Sequence, residues 1–221
     1  MTNVLVVVAH ADDEVLGCGG TIAKHSENGD HVTLLVMTNG VSAREQCHKN
    51  SQLIREKALA NSCEILGIKS VIQCDFPDNR MDSIDLLEIV KTIEVKTSGL
   101  NPSVVYCHSP ADLNIDHKIC AQATLTAFRP LPETSTKTIL AFEVLSSTEW
   151  DFSSVSFQAN WFEDISASFN KKQQALACYE DELRSAPHPR SLIICEALAN
   201  LRGSTIGVNK AEAFQLLRHQ R

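Results

Sequence analysis

Residues 4–9 read Val-Leu-Val-Val-Val-Ala, an apolar run with no polar residue alternating through it. A strand with one wet face alternates apolar and polar positions. A run without alternation has to be covered on both faces, as in a parallel sheet flanked by helices. Val32–Met37 is a second apolar run, and further strand-like runs follow at Val71–Cys74, Val104–Cys107 and Thr138–Val144. The segments between them carry helical signals. Glu14–Glu27 has Gly17, Gly19 and Gly20 near its start. Ser51–Leu66 places Leu53, Ile54, Ala58, Ile65 and Leu66 at helical spacing and stops at Gly67. Ser83–Thr97 is amphipathic, with Ser83 as its expected N-cap, and Asp116–Ala127 ends before Pro130. This alternation predicts an α/β fold: a doubly wound, mostly parallel sheet of Rossmann-like type, with right-handed crossovers and helices on both faces. Further on, Trp161–Ile165 reads as a strand, and Ser168–Tyr179 and Leu192–Leu201 read as helices. No linker, repeat or low-complexity stretch intervenes, so 1–221 reads as a single domain.

Doubly wound sheets bind ligands outside the carboxyl ends of their strands. The first strand ends in Ala9-His10-Ala11-Asp12-Asp13-Glu14, an imidazole and three carboxylates at one strand tip. His and Asp are both zinc ligands. Adjacent aspartates in extended chain point in opposite directions, so one can ligate while the other faces substrate as a general base. Acidic residues here also suit the N-terminus of the following helix, which is the competing reading for Glu14. A dinucleotide loop is disfavoured: the glycines read G-x-G-G, and three acids precede them where a pyrophosphate would sit.

The fourth strand runs into His108-Ser109-Pro110-Ala111-Asp112-Leu113-Asn114-Ile115-Asp116-His117. If strands 1 and 4 are neighbours across the switch point, a histidine from this loop completes a three-ligand site with one open position, the pattern of catalytic zinc. His117, at the start of a helix, and His108, directly after the strand, are the two candidates. Asp116 is placed to orient a ligand side chain, and Asp112 suits a turn after Pro110.

The formal net charge of −7, with no basic stripe, argues against a nucleic-acid partner. The N-terminal apolar run is too short for a signal peptide or a membrane span, so a cytoplasmic location is expected. None of the eight cysteines forms a C-x-x-C pair, which points to free thiols rather than a redox motif or zinc ribbon.

The two clusters together resemble the PIG-L/LmbE-like deacetylase family. Its A-H-P-D-D-E signature stands here as Ala9–Glu14, and its P-D-H as Ile115-Asp116-His117. Met37–Gly40, Arg55-Glu56 with Leu66-Gly67, Phe76-Pro77-Asp78, His188–Ser191, Arg202-Gly203 and Ala211–Phe214 resemble further stretches of the pattern. The resemblance implies removal of an acetyl group from an N-acetylglucosamine-like sugar or conjugate. It implies zinc, or another divalent transition metal, on His10, Asp13 and His117, with Asp12 as general base and Arg55 and Asp78 contacting substrate. Two positions depart from it. Ala11 replaces the usual proline, and Asn114 stands where many members carry a histidine that helps stabilise the oxyanion. Asparagine can donate a hydrogen bond there but cannot become a cation. Two other readings remain: a metal-containing sugar-binding protein without catalysis, and a different metal-dependent hydrolase such as a phosphoesterase, which would call for more ligands.

Overall fold

The computed structural model describes residues 1–40, 49–132, 134–153 and 155–220. The apolar runs become β1 (Asn3–Val8), β2 (His31–Thr38), β3 (Ser70–Phe76), β4 (Val104–His108) and β5 (Thr138–Phe142), all parallel to one another. They alternate with α1 (Asp13–Glu27), α2 (Lys49–Leu66), α3 (Leu86–Lys96) and α4 (Ile115–Ala127). After β5 come β6 (Trp161–Asp164), α5 (Phe169–Ala177), α6 (Leu192–Ile206) and β7 (Ala211–His219). The seven-stranded sheet has the order β3-β2-β1-β4-β5-β7-β6. Successive strands step outward from β1 to β3, then return to β4 on the other side of β1. The switch point therefore lies between β1 and β4, where both polar clusters begin.

Buried residues gather on the two faces of the sheet. Val4, Val6 and Val8 of β1 join one cluster, with Ile22, Leu59, Leu66 and Leu176. Leu5, Val7 and Ala9 join the other, with Ile89, Val90, Ile93 and Cys120. Side chains of a strand alternate between faces, so a run apolar at every position is what two covered faces require. At Gly17 the helix comes so close to the sheet that an added Cβ would lie 2.3 Å from Phe142 Cδ2.

Two expectations need correction. Ser83 is not a helix N-cap: Met81–Ser83 forms a short 3₁₀ turn, Ile84 is extended, and Asp85 precedes α3. Ser83 Oγ instead donates to the Arg80 carbonyl at 2.7 Å. β7 was not anticipated at all. It pairs antiparallel with both β5 and β6 and carries a buried glutamate, Glu212. That carboxylate accepts from the Gly20 and Thr21 N–H groups and from Lys172 Nζ, just beyond the break in helical geometry at Cys18 of α1. The seven described cysteines are free thiols; Cys47 lies outside the described residues. Among the described residues no helix is long and apolar enough to cross a membrane.

Candidate metal centre and cleft

The end of β1 turns sharply. Asp12 has φ 114°, a region that residues with a Cβ seldom occupy and that costs on the order of 1–3 kcal/mol. Glu14 holds the turn by accepting the Asp12 N–H through Oε2 at 2.9 Å. Tyr179 Oη in turn donates to Glu14 Oε1 at 2.6 Å. Glu14 is thus fully buried rather than an exposed helix cap, and burial pushes its carboxyl up to about 7. The turn sends Asp12 and Asp13 to different partners. Asp12 faces Arg190, and Asp13 faces three imidazoles.

His10 Nδ1, Asp13 Oδ2 and His117 Nε2 form a nearly equilateral triangle. His10 Nδ1 and His117 Nε2 are each 3.3 Å from Asp13 Oδ2 and 3.3 Å from one another. Four ligands in tetrahedral array at about 2.0–2.1 Å from an ion stand about 3.3–3.4 Å apart. The donor set, its spacing and its charge therefore fit a small divalent ion such as zinc. The other carboxylate oxygen, Asp13 Oδ1, is buried without a hydrogen-bond partner.

Each histidine of the triangle is gripped on its far side. His10 Nε2 lies 3.1 Å from Asp116 Oδ2 and 3.1 Å from Asp78 Oδ1. Between two carboxylates that nitrogen carries the proton, leaving the Nδ1 lone pair for a cation. Asp116 is itself fixed by the backbone N–H groups of Asn79 and Met81. It orients His10 across the cleft, not His117 beside it in sequence. His117 Nδ1 lies 3.2 Å from Asp112 Oδ1. Asp112 also accepts from Ser147 Oγ, from Thr148 Oγ1 at 2.7 Å and from the Asn114 N–H at 2.9 Å. Burial works against charging these imidazoles, but the carboxylates outweigh it. His117 is pushed up to about 9, and His10 is held well above its ordinary value. The surroundings call for positive charge, and a divalent ion would meet that demand by displacing protons.

His108 is equally close to Asp13 Oδ2, at 3.3 Å, yet its Nε2 accepts the Ala9 N–H at 2.9 Å. That lone pair is spent on the backbone. Burial and the neighbouring His117 push His108 down to about 4, so it stays neutral, stacked on His117 at 3.9 Å. His108 Nε2 thus takes a backbone donor, where His117 Nε2 faces Asp13 and His10.

An open cleft of about 210 Å³ lies over His10 and is lined by Asp12, Arg55, Asp78, Asn79, Asn114, Glu182 and Arg190. Asp12 is buried and pushed up to about 6; Arg190, whose Nη1 donates to Asp12 Oδ2 at 2.9 Å, pulls against that push. Asn114 is the N-cap of α4. Its Oδ1 accepts from the Asp116 and His117 N–H groups, and Nδ2 donates to Asn79 Oδ1 at 3.2 Å. Arg55 pairs with Glu182 across the cleft instead of along its own helix. Asp78 touches His10 and is buried, so it is no simple turn residue. The sequence reading passed over Arg190, Glu182, Ser147 and the orienting part of Asp112. Only the His-Pro-Arg-Ser stretch at 188–191 had flagged any of them.

A family model described as PIG-L: GlcNAc-PI de-N-acetylase matches residues 5–128. The chain is 29% identical over 172 residues to YaiS, an uncharacterized deacetylase of Escherichia coli K12, covering 76% of this chain and 84% of that one. It is 28% identical over 187 residues to a probable N-acetyl-alpha-D-glucosaminyl L-malate deacetylase 2 of Bacillus cereus, covering 81% and 83%. Among solved structures, the N,N'-diacetylchitobiose deacetylase of Pyrococcus horikoshii superposes with a TM-score of 0.79 at 22% identity, covering 97% of this chain and 83% of that chain. At that identity the likeness speaks for the fold.

Proposed function

The chain belongs to the PIG-L family, described as GlcNAc-PI de-N-acetylase, and from that premise we propose that residues 1–221 act as one metal-dependent deacetylase domain. It removes the N-acetyl group from an N-acetylglucosamine-like sugar or small glycoconjugate. The observation that carries this reading is the 3.3 Å triangle of His10, Asp13 and His117 opening on the same cleft as a spare buried carboxylate, Asp12. The names of the relatives support the choice of an acetylated amino sugar.

Zinc held by His10, Asp13 and His117 would supply Lewis acidity, polarising the acetamide carbonyl and lowering the pKa of a water to about 7. Asp12 takes the proton as water attacks the carbonyl carbon, and the C–N bond then breaks as Asp12 returns that proton to the departing amine. The products are acetate and the free amino sugar. Arg190 keeps the Asp12 carboxylate oriented and favours its charged form. Asn114 spends one Nδ2 hydrogen on Asn79, and as a cleft residue it would offer the other to the developing oxyanion; losing one such donor costs roughly 100- to 1000-fold in rate. Asp116 and Asp112 keep the two imidazoles in the tautomers that present a lone pair to the ion. Arg55 and Asp78 contact the sugar from the cleft walls.

The test is acetate release from N-acetylated sugars by protein stripped with a chelator and then resupplied with zinc. Release that disappears on stripping and returns with the metal supports the reading. Release indifferent to stripping, or absent from the whole panel with metal present, overturns it.

A further inference from the structure

The left-handed φ of 114° at Asp12 is held by side chains that arrive from far along the sequence. φ is the rotation at the peptide nitrogen, and the Asp12 N–H donates to Glu14 Oε2 at 2.9 Å. The other oxygen, Glu14 Oε1, accepts from Tyr179 Oη at 2.6 Å, the short length of a hydroxyl on a carboxylate. Ser62 Oγ reaches the same oxygen at 3.4 Å. Glu14, Ser62 and Tyr179 are all buried. Tyr179 lies just beyond α5 and packs with Leu176 and Leu183 into the core that α1 and α2 share. Three residues on, the same turn carries Glu182, whose N–H donates to the Tyr179 carbonyl at 2.9 Å. Glu182 Oε2 stands 3.7 Å from Arg190 Nη1, which donates to Asp12 Oδ2 at 2.9 Å. One turn thus reaches Asp12 by two routes: its backbone N–H through Tyr179 and Glu14, and its carboxylate through Glu182 and Arg190.

Resting on the deacetylase reading, we infer that Tyr179 is a positioning residue for Asp12, acting through Glu14 to hold the backbone turn that aims the Asp12 carboxylate at the proton it removes. The Asp12 carbonyl starts α1 by accepting from the Val15 and Leu16 N–H groups, so the helix fixes one side of the residue and Glu14 the other. A phenylalanine at 179 leaves Glu14 Oε1 with the longer Ser62 contact. A buried carboxylate short of a donor turns toward other donors, and its bond to the Asp12 N–H loosens. A sparsely populated φ persists only where its surroundings over-determine it, so the turn relaxes and the base shifts. Misplacing a reacting group by about 1 Å costs on the order of 100-fold in rate. The metal triangle is off this route, because Asp13 Oδ2 accepts the His10 N–H at 2.9 Å and faces the imidazoles directly. The effect therefore falls on kcat, not on metal content or KM. Tyr179 lies beyond residues 5–128 matched by the family model, so the C-terminal part of the chain supplies this support.

The experiment measures kcat, KM and zinc content for the zinc-loaded parent and Tyr179→Phe, with acetate release from the panel of N-acetylated sugars as the signal. Tyr179→Phe is expected to lower kcat by about 10- to 100-fold, with KM within about threefold of the parent and zinc content unchanged. A tyrosine that only stabilises the fold would lower the Tm and leave kcat per folded molecule as it was. A kcat within about twofold of the parent overturns the inference, and so does a loss of zinc that accounts for the lost activity. A double-mutant cycle tests the route: in a Glu14→Leu background, Tyr179→Phe is expected to change kcat by no more than about twofold, and a repeat of its full effect there overturns the claim that it acts through Glu14. If either variant does not fold, Glu14→Asp decides. Its carboxylate is one methylene shorter and draws back from Tyr179, so kcat is expected to fall by about tenfold or more with zinc content kept; a value within about twofold of the parent overturns the inference. Acetate release from no sugar by the zinc-loaded parent tells against the deacetylase reading itself, and the inference falls with it; an active parent with an unmoved Tyr179→Phe removes the inference alone.

Discussion

Asp112 offers a direct probe of how the proposed metal centre is held. Its carboxylate accepts from His117 Nδ1, the Ser147 and Thr148 hydroxyls and the Asn114 N–H. Asp112→Asn keeps the shape and one acceptor oxygen but removes the charge. Thr148 Oγ1 already accepts the Val144 N–H and donates to Asp112 Oδ2. An amide nitrogen at that place forces the hydroxyl to accept instead, and its own hydrogen loses a buried partner. The His117 ring is then held more weakly in the tautomer that presents Nε2. Partners of this kind are worth about 10- to 100-fold in metal affinity, or roughly 1.4–2.7 kcal/mol. Asp112→Ala goes further, leaving the hydroxyls and the Asn114 N–H without an acceptor, each at about 1–3 kcal/mol. The assay is zinc competition against a chromophoric chelator, with thermal unfolding of each apo-protein alongside. The expected result for Asp112→Asn is weakened zinc binding with a near-parental Tm, and for Asp112→Ala a loss of both. Zinc affinity of Asp112→Asn within about twofold of the parent would refute the reasoning.

Three further outcomes are expected. The proposed mechanism needs Asp12 as the carboxylate, and its pKa is raised to about 6, so kcat/KM should fall about tenfold per unit as pH drops below that value. Arg190→Met removes the cation that favours the charged form, so the acidic limb should move to higher pH; a limb that stays put or moves down contradicts the assignment. Gly17→Ala places a methyl group 2.3 Å from Phe142 Cδ2 and should cost about 1–3 kcal/mol of stability, read as a lower urea midpoint. An unchanged midpoint would show that the helix can back away from the sheet.

What the sequence made legible follows from its physics. The run Val4–Ala9, apolar at every position, and Val32–Met37, broken only by Thr33, announce a sheet covered on both faces, and polar residues at the strand tips mark the ligand-binding edge of such a sheet. His10, Asp12 and Asp13 lie within one turn, so their proximity is visible in one dimension. Their partners are not: Arg190 meets Asp12 from 178 residues away, and Ser147 reaches Asp112 from 35 residues away. His117 is preferred to His108 by its place at a helix start and by the family resemblance; that a backbone N–H occupies His108 Nε2 is something only three-dimensional neighbours reveal. β7 was hidden for a local reason. Ala-Glu-Ala-Phe lacks β-branched residues, and its buried glutamate reads as a solvent-facing charge until Lys172 and the Gly20 and Thr21 N–H groups are seen to surround it.

In the proposed mechanism one carboxylate, Asp12, does the proton transfer while its neighbour Asp13 helps to hold the metal. The most direct measurement is made on Asp12→Asn, comparing zinc content and acetate release in the same preparation. The account predicts one zinc per chain, as in the parent, with turnover reduced by about 100- to 10,000-fold. Parental turnover, or loss of the metal along with the activity, would contradict it.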